Sequence, residues 1–273
     1  AYALGNVFLA PWKYKNWAEV IISTAKRQEP AKVILKNGLF IEAEMSLRFV
    51  VREIFFDKIY NPSYLPIGDN DIVVDIGANN GIFTLFAASL TQNMVYAFEP
   101  SPKNFELLER NIAVNGMQHI IAHSCAVSDK LGSAKLFLNP ADVHQHLLSE
   151  YIIADKIEEY KTHTDLNYLI SNSDKAENYI EVPTTTLQEI MDGNNLERID
   201  FLKLDCEGAE GPILQSTSAA YLQRVRKIAM EFHDHLAELN HGDIQNMLKD
   251  AGFITRLKWD GKSPLGYIYA WRD

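Results

Sequence analysis

The stretch Ile72-Val73-Val74-Asp75-Ile76-Gly77-Ala78-Asn79-Asn80-Gly81, followed by an apolar run that ends in Phe98-Glu99-Pro100, constrains this chain more than any other part of it. It reads as an apolar strand that delivers an acid into a glycine-rich turn, then a helix, then a second strand that also ends in an acid. Gly77 lets the backbone turn without a Cβ penalty and approach a ligand, and Gly81 opens a helix near Ile82. In a parallel α/β sheet this is the layout of a nucleoside site, so an enzyme is the leading reading.

The spacing is G-x-x-x-G rather than G-x-G-x-x-G, because Asn79 and Ile82 stand where the second and third glycines would fall. A pyrophosphate then lacks its cradle, which argues against a nicotinamide cofactor and for a mononucleoside with a small polar tail. S-adenosylmethionine fits that description. Glu99 is placed to accept hydrogen bonds from both ribose hydroxyls. Two competing readings are an NAD-dependent oxidoreductase, weakened by the missing glycines, and a non-catalytic S-adenosylmethionine-binding module, opposed by the presence together of Asp75, Glu99 and Asp205.

At 273 residues the chain has room for one large α/β domain with an accessory segment. Its 36 acidic and 26 basic residues give a formal charge of −10, with no basic stripe for phosphates, so nucleic acid is not the expected partner. The two cysteines, Cys125 and Cys206, form no C-x-x-C pair and point to a reducing compartment. No apolar run is long enough for a membrane span, and the expected location is the cytoplasm. A homodimer is compatible with these features. The first residue is Ala1, which suits a domain of a larger multienzyme and equally a trimmed chain.

Residues 1–68 read as an N-terminal cap of helix and hairpin, and residues 69–273 as the cofactor-binding core. In the cap, apolar runs on either side of Asn37-Gly38 form a hairpin signal, and a helix is expected over Leu47 to Tyr60. In the core, Ser101-Pro102 starts a helix that stops at Asn115-Gly116. Further strands are expected at Ile120 to Val127, Ala134 to Leu138, Ile180 to Pro183, Ile199 to Asp205 and Ile228 to His233, with a helix near Leu187 to Met191 and a closing hairpin over Phe253 to Trp271. The polar segment 139–178 breaks the rhythm. It is read as an inserted lid with helical stretches such as Leu147 to Tyr160.

With these pieces in place, the chain resembles the FkbM-type family of S-adenosylmethionine-dependent methyltransferases. The matching residues are Val74 to Leu85, Ala97 to Phe105, and Asp200-Phe201-Leu202-Lys203-Leu204-Asp205-Cys206-Glu207-Gly208-Ala209-Glu210. The resemblance implies the α/β class I methyltransferase fold, a Rossmann-like, seven-stranded, mostly parallel sheet with an antiparallel C-terminal hairpin. It places Asp75, Gly77, Asn79 and Gly81 around the methionine moiety, with Thr84 toward its carboxylate. Glu99 takes the ribose, Cys125 and Ala126 lie near the adenine, and Asp205 near the sulfonium, with Ala78, Pro100 and Asn104 also expected among the cofactor-binding residues. The implied activity is O-methylation of a small molecule, a sugar, or a polyketide or peptide natural product, free or tethered to a carrier.

Methyl transfer is an in-line displacement, and an alcohol must also lose its proton to a base within hydrogen-bond reach. Asp205, Glu231 and His233 all stand at strand ends on the ligand side of such a sheet. His233 is expected to be the base, because the unperturbed imidazole titrates nearest neutrality. On the lid, His144 and His146 could swing over the acceptor, and His146 joins the candidate catalytic group. Glu210 is read as structural. Asp205 and Glu231 could offer oxygens to Mg²⁺, but no ligand signature of fixed spacing calls for a metal.

Overall fold

A computed structural model describes residues 11–26, 31–43, 48–138, 146–148 and 179–272. Strands β3 (Val73–Ile76), β4 (Val95–Phe98), β5 (Ile120–His123), β10 (Ile199–Leu204) and β11 (Val225–His233) run parallel, and β12 (Ile254–Lys258) and β13 (Leu265–Trp271) close the sheet antiparallel. The seven-stranded order is β12-β13-β11-β10-β3-β4-β5. This is the class I methyltransferase arrangement, with its C-terminal hairpin. Order reverses between β3 and β10, and a crevice opens beyond the carboxyl ends of strands at such a point.

Both faces of the central strands are covered, so they read as nearly continuous apolar runs. Alternation splits their side chains between two cores. Val73 and Phe201 join Val33 and Ile41 of the N-terminal hairpin, β1 (Ala31–Ile34) and β2 (Phe40–Ala43). Also in this core are Val51 and Ile54 of α2 (Arg48–Phe55) and Phe83 of α3 (Ile82–Ala88). Val74 and Leu202 instead meet Ile190 of α5 (Leu187–Gly193), Ile213 of α6 (Glu210–Ser216) and Ile244 of α8 (His241–Asp250).

Helix α4 (Pro102–Asn115) begins at Ser101-Pro102 and ends on Gly116 at φ 63°, as its sequence requires. It also ties the hairpin to the glycine turn. Asn111 accepts from Glu42 N at 2.8 Å and donates to Glu42 O at 2.9 Å and to Asn80 O at 2.8 Å, and Asn115 makes the same paired contact with Phe40. Two side-chain amides thus stand in for a neighbouring strand along β2 and satisfy its edge groups.

Three expected elements differ. The strand expected over Ile120 to Val127 is two: β5 pairs with β4, whereas β6 (Ala126–Val127) pairs with β9 (Tyr179–Thr185) in a separate sheet with β7 (Gly132–Leu138) and β8 (His146–Leu148), of order β6-β9-β7-β8. Helix α2 ends at Phe55, and the chain turns at Lys58, φ 52°, ahead of Pro62, so Tyr60 lies beyond it. Leu147 and Leu148 belong to strand β8 (His146–Leu148), paired with β7 (Gly132–Leu138), and not to a helix. The rest of the expected lid, His144 included, lies outside the described residues. Its flanks are neighbours, since β7 and β9 pair directly with Phe137 opposite Tyr179. No described helix is long and apolar enough to cross a membrane.

Candidate active site

A cleft opens where β3, β4 and β10 end, and Gly77, Asn79, Glu99, Pro100, Asn104 and Asp205 line it, with Ala126 and Leu136 from the second sheet. The turn after β3 can be this tight only with glycine. Gly77 has φ 77°, and a Cβ there would lie 1.8 Å from the carbonyl oxygen of Asp205. At Gly81, φ 85°, a Cβ would lie 2.5 Å from Leu108 Cδ1. Asn79 also takes a left-handed φ of 51°, and its amide points back to the acid on β4.

That acid is Glu99, and its carboxylate is buried. Oε2 accepts from Asn79 N at 2.8 Å, and Oε1 accepts from Ser101 N at 2.9 Å. The side chain of Asn104 hydrogen-bonds the same carboxyl, and the lone-pair capacity that is left can accept from a ribose hydroxyl. Burial pushes the carboxyl up to about 7 against the opposing pull of those two amides. Beside the cleft, Phe98 stacks on His123 with ring centroids 4.8 Å apart, and burial raises the Cys125 thiol to about 11.

Asp75 and Thr84 lie beneath this cleft rather than on its wall. Thr84 Oγ1 donates to Asp75 Oδ2 at 2.6 Å, and both residues are fully buried. The other oxygen of Asp75 meets the ammonium of Lys203 at 3.2 Å. Lys203 also donates to Gly77 O at 2.7 Å and stands 3.5 Å from Asp205 Oδ2. Desolvation would favour the neutral amine, but Asp75 and Asp205 hold the ammonium above its ordinary range. One buried cation thus pins the glycine turn and the acid after β10 together. Its sequence signal was a lysine between Leu202 and Leu204 in the buried strand β10.

Tyr60, 3% exposed, brings the N-terminal segment into the site. Its hydroxyl lies 2.9 Å from Asp205 Oδ2 and 3.2 Å from Glu231 Oε2. Glu210 caps the loop after β10, accepting from Cys206 N and Gly208 N, both at 2.9 Å, which is the structural role read for it.

His233 stands where the sequence placed it, beside Asp205 and Glu231, but not as a free base. Its Nδ1 donates to Glu210 Oε1 at 3.0 Å, and its Nε2 lies 3.4 Å from Glu207 Oε2. Desolvation would depress this imidazole, yet the charges of Glu210 and Glu207 hold it protonated well above its usual range. A protonated imidazole between two carboxylates has no lone pair for an acceptor's proton. His146 lies on β8, and its side chain is outside the description.

Asp205, Glu231 and His233 each bring a ligand-type atom within 4.8 Å of the others. The fit to a divalent cation fails on the groups around them. The Lys203 ammonium already stands at Asp205, Tyr60 bridges both carboxylates, and both imidazole nitrogens face glutamates.

The family model described as the methyltransferase FkbM domain matches residues 75–255. The chain is 27% identical over 218 residues to Methyltransferase 1 of Beauveria bassiana, covering 79% of this chain and 84% of that protein. It is 28% identical over 224 residues to the 31-O-demethyl-FK506 methyltransferase FkbM of Streptomyces tacrolimicus, covering 78% and 84%. With the AMB antimetabolite synthetase AmbE of Pseudomonas aeruginosa it shares 29% identity over 231 residues, which are 78% of this chain and 11% of that protein.

Proposed function

The chain belongs to the FkbM family of S-adenosylmethionine-dependent methyltransferases, and from that premise we propose that it is an O-methyltransferase. Its acceptor is a hydroxyl on a small molecule, a sugar, or a polyketide or peptide natural product, free or carried on a protein. One observation carries the reading: Gly77, Glu99 and Asp205, from the ends of three different strands, surround a single cleft. The bound cofactor supplies an electrophilic methyl on a sulfonium.

The chain's own residues account for the rest. The Gly77 to Gly81 turn brings backbone to the cleft, Glu99 offers its remaining lone pairs to ribose hydroxyls, and Asp205 lies on the opposite wall. Holding the acceptor oxygen in line with the methyl carbon is the main catalytic demand. Asp205, just after β10, and Glu231, near the end of β11, are the acids that could supply the base an alcohol requires. The name of the FK506 relative supports an oxygen acceptor, and the synthetase relative supports an acceptor from natural-product assembly. The formal charge of −10 favours such acceptors over nucleic acid.

Titration calorimetry with S-adenosylmethionine, S-adenosylhomocysteine and NAD tests the cofactor, with binding of the first two and not the third expected. Transfer of labelled methyl to a panel of hydroxylated and aminated acceptors tests the chemistry. Labelling confined to amines would overturn the assignment to oxygen.

A further inference from the structure

Tyr60 carries one phenolic proton between two carboxylates, Asp205 at 2.9 Å and Glu231 at 3.2 Å. One hydroxyl hydrogen serves one acceptor at a time, so with both acids ionised one of them would face a phenol lone pair. The contacts are satisfied together when Tyr60 donates to Asp205, the shorter contact, and Glu231 carries its own proton and donates to the phenol oxygen. The same Asp205 oxygen that faces the phenol has the Lys203 ammonium 3.5 Å away, so two donors converge on Asp205.

The groups packed around Glu231 agree. From its own strand it faces His233, from the loop after β10 Asp205 and Glu207, and from β13 Tyr267, its direct partner in register. Tyr267 is in turn flanked by Glu53 of α2 and by Lys258 of β12, whose ammonium lies 5.6 Å from its ring. Burial first, and then the charge of Asp205, push the Glu231 carboxyl up to about 8, against the pull of His233.

We infer that Glu231 holds a proton while the cleft is empty, releases it when a sulfonium enters beside Asp205, and is then the catalytic base that takes the acceptor's hydroxyl proton. This rests on the S-adenosylmethionine reading above. A cation near an acid favours the ionised form, so the arriving cofactor readies the base. In the transfer, the acceptor O–H breaks and its proton passes to the Glu231 carboxylate. The O–C bond forms as the C–S bond breaks, and the bonding pair stays on sulfur. The thioether left behind is neutral, so the charge that kept Glu231 ionised disappears as the residue is reprotonated. His233, fixed between Glu210 and Glu207, is a positioning residue.

The test needs no acceptor. Binding of S-adenosylmethionine and of S-adenosylhomocysteine is measured calorimetrically at pH 7 in buffers of differing ionisation enthalpy, which counts the protons exchanged. The two ligands differ in charge only at sulfur. We expect the sulfonium to expel most of one proton more than the thioether, and Glu231→Gln to abolish that difference while both ligands still bind. Equal proton counts for the two ligands in the unmodified protein would overturn the inference, whatever the variant does. A difference that survives in Glu231→Gln would also overturn it, by assigning the proton to another group. Failure of both ligands to bind is a separate outcome, which would remove the cofactor reading and the inference with it.

Discussion

The ammonium of Lys203 and the carboxylate of Asp75 meet at 3.2 Å directly across neighbouring strands, at paired positions of β10 and β3, and both side chains are buried. Neither charge has bulk water to fall back on. Each is tolerable only because the other is there, along with Thr84 on the aspartate and Gly77 O on the lysine.

Removing one partner leaves the other charged and dry. Lys203→Met is therefore expected to destabilise the fold by about 3–5 kcal/mol, measured by urea unfolding. The double variant Asp75→Asn, Lys203→Met should recover much of that loss, because the orphaned charge goes with its partner. A double variant as unstable as the single would show that packing, and not charge, dominates here.

Gly77 and Gly116 form a matched pair for testing the turn. Both have positive φ, but a Cβ at Gly116 meets nothing within 4 Å, whereas one at Gly77 runs into Asp205 O at 1.8 Å. Gly116→Ala should cost about 1–2 kcal/mol, the penalty of the left-handed conformation alone. Gly77→Ala should cost more and should also abolish cofactor binding, because the turn and the loop after β10 must separate. Equal stability losses with binding retained in both would mean that the turn relaxes without disturbing the cleft.

The same contrast shows what the sequence made legible. The Asp75 to Gly81 turn and the acid at Glu99 depend on neighbours within a few residues, so their motif could be read directly and the structure places them at one crevice. Tyr60 could not be read that way. Its two carboxylate partners lie 145 and 171 residues away, and nothing in its local context separates it from other buried tyrosines. The pairing of His233 was hidden for a related reason, since its partners are Glu207 in the loop after β10 and Glu210 at the start of α6. The second sheet escaped because β6 and β8 are only two and three residues long, too short for any periodicity.

The misfit of a divalent cation to these groups can be tested directly. Cofactor binding and methyl transfer should both be indifferent to prolonged treatment with a chelator, because Lys203 and Tyr60 occupy the positions a cation would need at Asp205. Loss of activity in chelator, restored by Mg²⁺ or Mn²⁺, would refute this.

Glu99 sets the last prediction, which is one of pH. Its folded-state carboxyl is raised from 4.5 to about 7, so between those values the folded protein holds a proton that the unfolded chain has lost. Its contribution to stability accordingly falls as pH rises through that window and is constant above it. Ligand binding runs the other way, because ribose hydroxyls donate best to the ionised form. S-adenosylhomocysteine is the ligand of choice for the measurement, since its neutral sulfur gives Glu231 no cation to answer. Its affinity should rise by up to about tenfold between pH 6 and pH 8 and level off above. Glu99→Gln should weaken binding at pH 8 by about 1.5–3 kcal/mol and flatten the profile, keeping the size of the side chain while removing its charge. A variant that binds as tightly as the unmodified protein at pH 8 would take Glu99 out of the ribose site and leave it as the brace of Asn79, Ser101 and Asn104.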